Sequence, residues 1–177
     1  MDKRTGFTGL KFTGGLMIMI EGSFSFNEVL EMAKDIEEKG ENFYQNQAEL
    51  TDNSEAEKLF LRLAADENDH YRRFQKLQED FQQETGREDE YVTDSDVSAY
   101  LEALVEFSVF PADEEEKVEA RDLEEVLGMA IQAEKDSILL YTEMKEDNTG
   151  TTAEALDKLI EEEKEHLVDL LRLDAEI

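Results

Sequence analysis

From residue 24 the chain settles into long stretches in which apolar side chains return every three to four positions, as in "EVLEMAKDIEEKGENFY" (28–44). That spacing lines one face of an α-helix. Helices are expected near 26–50, 55–84, 96–108, 113–147 and 153–175. "SFNE" (25–28), "SEAE" (54–57) and "TTAE" (151–154) read as capping boxes at three of the starts. The single proline, Pro111, falls between two of these segments and interrupts neither. "TGREDEYVTD" (85–94) and "NTG" (148–150) are connectors, and no stretch carries a convincing strand pattern.

Four long helices with a shorter one in the middle connection describe an all-α four-helix bundle with a long crossover. Short loops make the first two helices antiparallel neighbours, and likewise the last two. Residues 1–23, rich in Gly and Thr and without helical periodicity, are expected to form a flexible N-terminal arm, with the bundle domain over 24–177. "VSAYLEALVEFSVF" (97–110) has apolar residues on more than one face, which suits packing on the bundle or on a second subunit. A homodimer is therefore expected.

The two halves of the bundle repeat one another. Residues 28–44 laid over 125–141 match Glu, Val, Leu, Met, Ala, Glu and Tyr without a gap. Residues 61–77 laid over 157–173 match Leu63 to Leu159, Glu67 to Glu163, His70 to His166 and Leu77 to Leu173. The chain's two histidines thus share one context, a glutamate three residues upstream. With 47 acidic residues in 177, that coincidence has a chance of about 0.27 for one histidine and about 0.07 for both. The repeat adds Glu37 and Glu134, each two turns before a tyrosine, Tyr44 or Tyr141.

Positions i and i+3 lie on one helix face, so Glu67 with His70, and Glu163 with His166, can each present an oxygen and a nitrogen to one point. Two further helices supply Glu37 and Glu134. Turned inward together, these side chains collect four carboxylates and two imidazoles, enough to balance two divalent cations. Such donors suit iron or manganese, and zinc less typically. Burying four ionised carboxylates without metal costs several kcal/mol each, to an order of magnitude. A tyrosine hydroxyl near the cluster, from Tyr44 or Tyr141, is expected to hydrogen-bond it. Asp66 and Glu162, each four residues before a histidine, are candidates to orient that histidine's free ring nitrogen.

Composition narrows the partners. Against 18 basic residues stand 47 acidic ones, a formal net charge of −29. A nucleic acid would be repelled, and so would an anionic membrane surface. With no cysteine, the chain holds no disulfide, iron–sulfur cluster or rubredoxin-type module, and a redox partner would be a separate molecule. The longest apolar run near the start, "LMIMI" (16–20), ends at Glu21, too short for a signal sequence or a membrane span. A cytoplasmic location is expected.

Through "IEEKGENFY", "LAADENDH", "AEKDSILLY" and "IEEEKEH", the chain resembles the rubrerythrin-like branch of the ferritin-like superfamily over roughly 26–84 and 113–175. The resemblance implies that Glu37, Glu67, His70, Glu134, Glu163 and His166 bind two irons and that Tyr44 and Tyr141 support the carboxylates. Peroxide-reducing rubrerythrins carry a further glutamate three residues after the third-helix ligand, where this chain has Ser137, and they often end in a rubredoxin domain. The likeness is thus to the stand-alone, six-ligand members. The leading functional expectation is a non-haem di-iron oxidoreductase acting on peroxide or oxygen, with a separate electron-donor protein. Ferritin-like ferrous-iron oxidation and a non-enzymatic, metal-stabilised bundle are the alternatives.

Overall fold

Amphipathic spacing produces the helices where it is expected. In the computed structural model, which describes residues 26–85, 122–146 and 148–177, these are α1 (Phe26–Leu50), α2 (Ser54–Thr85), α3 (Leu123–Glu146) and α4 (Gly150–Asp174). Along α1 the buried positions Phe26, Val29, Leu30, Ala33, Ile36, Glu37, Gly40, Phe43 and Tyr44 follow one stripe. The N-terminal arm, the connector beyond Thr85, the helix expected over 96–108 and residues 113–121 lie outside the described residues; the helix expected from 113 is corrected at its described end, since Asp122 is not helical and α3 begins at Leu123.

Two of the expected caps are corrected. At α2 the capping side chain is Asn53, not Ser54: its Oδ1 accepts from the backbone N–H of Glu55 at 3.0 Å and of Ala56 at 3.1 Å. The amide oxygen thereby satisfies two donors that the first turn leaves open. At α4 the helix begins before "TTAE", at Gly150, and the N-cap Thr149 makes no side-chain cap bond. Gly150 has a φ of 65°. This left-handed turn, cheap for glycine, admits the chain to the helix a residue ahead of Thr151. Asn148 closes α3, donating Nδ2–H to the Met144 carbonyl at 2.6 Å.

Cross-helix contacts establish the topology. Lys34 donates to Gln78 at 3.0 Å and Asn68 to Glu41 at 2.7 Å, so α1 and α2 run antiparallel. Tyr44 meets Glu134 while Tyr141 meets Glu37, so α1 and α3 are antiparallel as well. Arg62 with Asp169 and Arg73 with Glu162, both at 2.6 Å, give the same sense to α2 and α4. The order is up, down, down, up. Consequently the end of α2 and the start of α3 stand at opposite ends of the bundle, the arrangement of a long-crossover, ferritin-like bundle.

The core is split into two apolar layers. One contains Phe43, Tyr44, Phe60, Leu63, Leu127, Ala130 and Leu170; the other contains Leu30, Ala33, Phe74, Leu140, Tyr141, Leu156 and Leu159. Each fully buried leucine contributes about 1.5–3 kcal/mol. Every helix passes from one layer to the other at a polar residue: Glu37 in α1, Glu67 and His70 in α2, Glu134 in α3, Glu163 and His166 in α4. The apolar layers hold the four helices in register, and that register stacks these six side chains into one plane.

Candidate metal centre

All six residues expected as ligands are buried in one cluster; Glu37, His70 and Glu163 are each 1% exposed. His70 Nδ1 lies 2.9 Å from Glu163 Oε1, 3.6 Å from Glu37 Oε2 and 3.7 Å from Glu67 Oε2. His166 Nδ1 lies 3.1 Å from Glu163 Oε2, 3.6 Å from Glu67 Oε1 and 3.7 Å from Glu134 Oε2. The two imidazoles stack with centroids 5.4 Å apart. Glu67 and Glu163 therefore each offer one oxygen to each histidine, whereas Glu37 and Glu134 each serve one.

Ligand-type atoms of Glu37, Glu67, His70 and Glu163 lie within 4.8 Å of one another, and so do those of Glu67, Glu134, Glu163 and His166. Two four-residue groups share two carboxylates. Three buried atoms in this cluster, Glu37 Oε2, His70 Nδ1 and Glu163 Oε1, make no well-formed hydrogen bond, although His70 Nδ1 and Glu163 Oε1 face one another at 2.9 Å. Leaving such groups unsatisfied costs about 1–3 kcal/mol each, more when charged. Their convergence on one point fits a cation, and the mixed oxygen and nitrogen donors suit iron.

Protonation shows how the chain tolerates the cluster without metal. Burial, reinforced by the Glu67 charge, pushes Glu37 well above the usual carboxylate range. Burial and the Glu163 charge do the same to Glu134. For Glu67 burial works upward too, but its bonds with Glu37, His166 and His70 prevail and hold it low. Glu163 is also lowered: burial and the Glu67 charge oppose ionisation, and His166 and His70 outweigh them. Burial alone would neutralise both histidines, yet the surrounding carboxylates raise both far above the ordinary imidazole value. Protons and imidazolium charge thus occupy the centre that metal cations would neutralise.

Around the ligands, the helix pairing exchanges partners between the repeats. The hydroxyl of Tyr44 donates to Glu134 Oε1, and that of Tyr141 donates to Glu37 Oε1, so neither tyrosine serves the glutamate of its own helix. Burial keeps both phenols protonated, their pKa raised first by desolvation and then by Glu134 or Glu37. They remain donors. The same exchange applies to the histidines: His70 Nε2 faces Glu162 at 3.0 Å, and His166 Nε2 faces Asp66 at 3.4 Å. Antiparallel pairing of α1 with α3 and of α2 with α4 forces this crossing. With Nε2 directed outward, each Nδ1 is the nitrogen turned toward the carboxylates.

Two participants escape a reading by spacing alone. Arg73 donates to Glu162 Oε2 at 2.6 Å, behind His70; its only signal is a base three residues after the histidine. Gly40 backs Glu67: a Cβ there would lie 3.3 Å from Glu67 Cγ and 3.5 Å from its Oε2. Its repeat counterpart is Ser137, also buried.

A family model described as rubrerythrin matches residues 28–174. The chain belongs to the rubrerythrin family. Among solved structures, a Thermotoga maritima chain provisionally described as a ferritin-like diiron-carboxylate protein superposes with a TM-score of 0.62 at 30% identity, covering 89% of this chain and 99% of that one. An uncharacterized protein of Archaeoglobus fulgidus is 48% identical over 44 residues, 25% of this chain and 70% of the relative. This rubrerythrin-family chain therefore has a ferritin-like bundle and a buried Glu/His cluster suited to iron. Among the described residues, no helix is long and apolar enough to cross a membrane.

Proposed function

We propose that this rubrerythrin-family protein is a non-haem di-iron oxidoreductase that reduces peroxide or oxygen with electrons from a separate donor protein. The observation that carries the reading is the pair of shared carboxylates, Glu67 and Glu163, each facing both histidines across a buried plane. Glu37 and His70 would complete one metal site, and Glu134 and His166 the other. Iron, when bound, would supply two electrons per centre, enough to cleave the O–O bond of peroxide or to reduce oxygen to peroxide, with the donor protein restoring them.

The chain's own residues position and protect. Tyr141 holds Glu37 by Oε1, leaving Oε2 on the His70 side, and Tyr44 holds Glu134 in the same way, leaving Oε2 toward His166. Fixed rotamers keep the donor atoms directed inward before a metal arrives, which reduces reorganisation on binding. The apolar layers on both sides exclude bulk water from the plane, which strengthens every charge interaction within it. No cysteine in these 177 residues can hold a second redox centre, so the proposal assigns electron delivery to another protein. A homodimer, expected from residues 97–110, is part of the same proposal and is read by light scattering.

The test is anaerobic reconstitution with ferrous iron, then rapid mixing with peroxide or oxygen. Wild type is expected to hold about two irons per chain and Glu67→Ala clearly fewer. The bound iron should be oxidised rapidly by one of the oxidants and turn over with an external reductant. Iron inert to both would overturn the oxidoreductase reading; absence of specific iron would overturn the metal centre itself.

A further inference from the structure

The two halves of the centre are copies in sequence but not in their surroundings. Behind His70, Glu162 Oε2 accepts from the ring at 3.0 Å and from Arg73 Nη1 at 2.6 Å, while Arg73 Nη2 reaches Asp69 Oδ2 at 2.6 Å. A chain of three side chains, Glu162, Arg73 and Asp69, thus braces one imidazole. Behind His166 stands Asp66 alone, at 3.4 Å. That separation exceeds the about 2.7–3.2 Å of an N–H···O hydrogen bond. Asp66 has no basic partner besides His166 among the described residues.

The divergence is visible in the repeat. The register that matches His70 to His166 places Asp169 opposite Arg73, and Asp169 is engaged elsewhere, with Arg62 at 2.6 Å and Arg172 at 2.9 Å. The half containing His166 therefore has an acid where the other has its clamping base. Net charge does not distinguish the halves: Asp69, Arg73 and Glu162 sum to one negative charge, as Asp66 does alone. Placement does. A carboxylate on the outer nitrogen of a ligating histidine fixes the ring and raises its basicity, and loss of such a partner typically costs about 10–100-fold in metal affinity.

We propose that Arg73, acting through Glu162, is a positioning residue that makes the Glu37–His70 half the tighter metal site, leaving the Glu134–His166 half as the looser, exchangeable one. This rests on the two-metal reading above. The test is calorimetric titration of manganese(II) into the metal-free full-length chain. Wild type is expected to bind two ions in resolved steps about tenfold or more apart. Arg73→Gln should weaken the tight step about tenfold and leave the weak step in place, and Arg73→Lys should restore part of the loss. Asp66→Asn should act on the weak step alone. Arg73 and Asp66 are both partly solvent-exposed, so both variants are expected to fold, which circular dichroism verifies.

Two ions of equal affinity in wild type, or an Arg73→Gln change falling on both steps alike, would overturn the inequality while leaving the two-metal reading intact. A wild-type chain that binds no ion would overturn both.

Discussion

The exchange of tyrosine partners between helices yields a sharp quantitative expectation. Tyr141 donates to Glu37 on α1, not to Glu134 on its own helix, and the charges that raise its pKa after burial are those of Glu37, Glu163 and Glu67. Tyr141→Phe removes one hydroxyl from a fully buried ring and strips a carboxylate oxygen of its donor. An unsatisfied buried acceptor costs about 1–3 kcal/mol. For a chain of this size each kcal/mol moves the melting temperature by roughly 2–4 °C, so the metal-free variant should melt about 2–12 °C lower. A double-mutant cycle with Glu37→Leu isolates the pair. Its coupling should reach about 1–3 kcal/mol, because the hydrogen bond exists only when both groups are present. The parallel cycle with Glu134→Leu should stay below about 0.5 kcal/mol. Urea melts of the metal-free proteins provide all the corners. If Tyr141 coupled to Glu134 as strongly as to Glu37, the crossed pairing and the α1–α3 register behind it would be wrong.

Gly40→Ala should separate stability from metal binding. Alanine favours the helix by about 1 kcal/mol, but its Cβ, 3.3 Å from Glu67 Cγ, displaces that carboxylate; the metal-free melting temperature should hold or rise while manganese(II) affinity falls, and an undiminished affinity refutes the crowding. A pH series tests the protonation pattern. Glu37 and Glu134, with folded pKa values raised, lose stability as pH climbs past the unfolded value of about 4.3, and the raised His70 and His166 lose theirs above about 6.5. Glu67 and Glu163, lowered, contribute stability above about 4.3 that disappears only as pH falls toward their folded values. Between pH 6 and 8 the metal-free chain should therefore melt progressively lower, and the melting-temperature gap to the manganese-loaded chain should widen; a gap that narrows contradicts the assignment.

Local physics made much of this protein legible in one dimension. The period of the apolar positions defined α1 and α2 to within a residue of Phe26–Leu50 and Ser54–Thr85, because burying one stripe of a long helix dominates its energy. Spacing also exposed the candidate ligands: Glu67 with His70 and Glu163 with His166 share a face through helix geometry alone, and the repeat supplied Glu37 and Glu134. Caps were less legible, since Asn53 and Ser54 are both good N-caps and only the backbone path selects between them.

Tertiary structure decided which side chain serves which. That Tyr44 supports Glu134, that Glu162 rather than Asp66 holds His70, and that Arg73 clamps one half alone all follow from antiparallel contacts between helices far apart in sequence. Periodicity tells which face of a helix is buried but not which helix it meets or in what direction. The packing of two apolar layers accompanies that orientation, and with it come the different surroundings of two histidines that share one local motif.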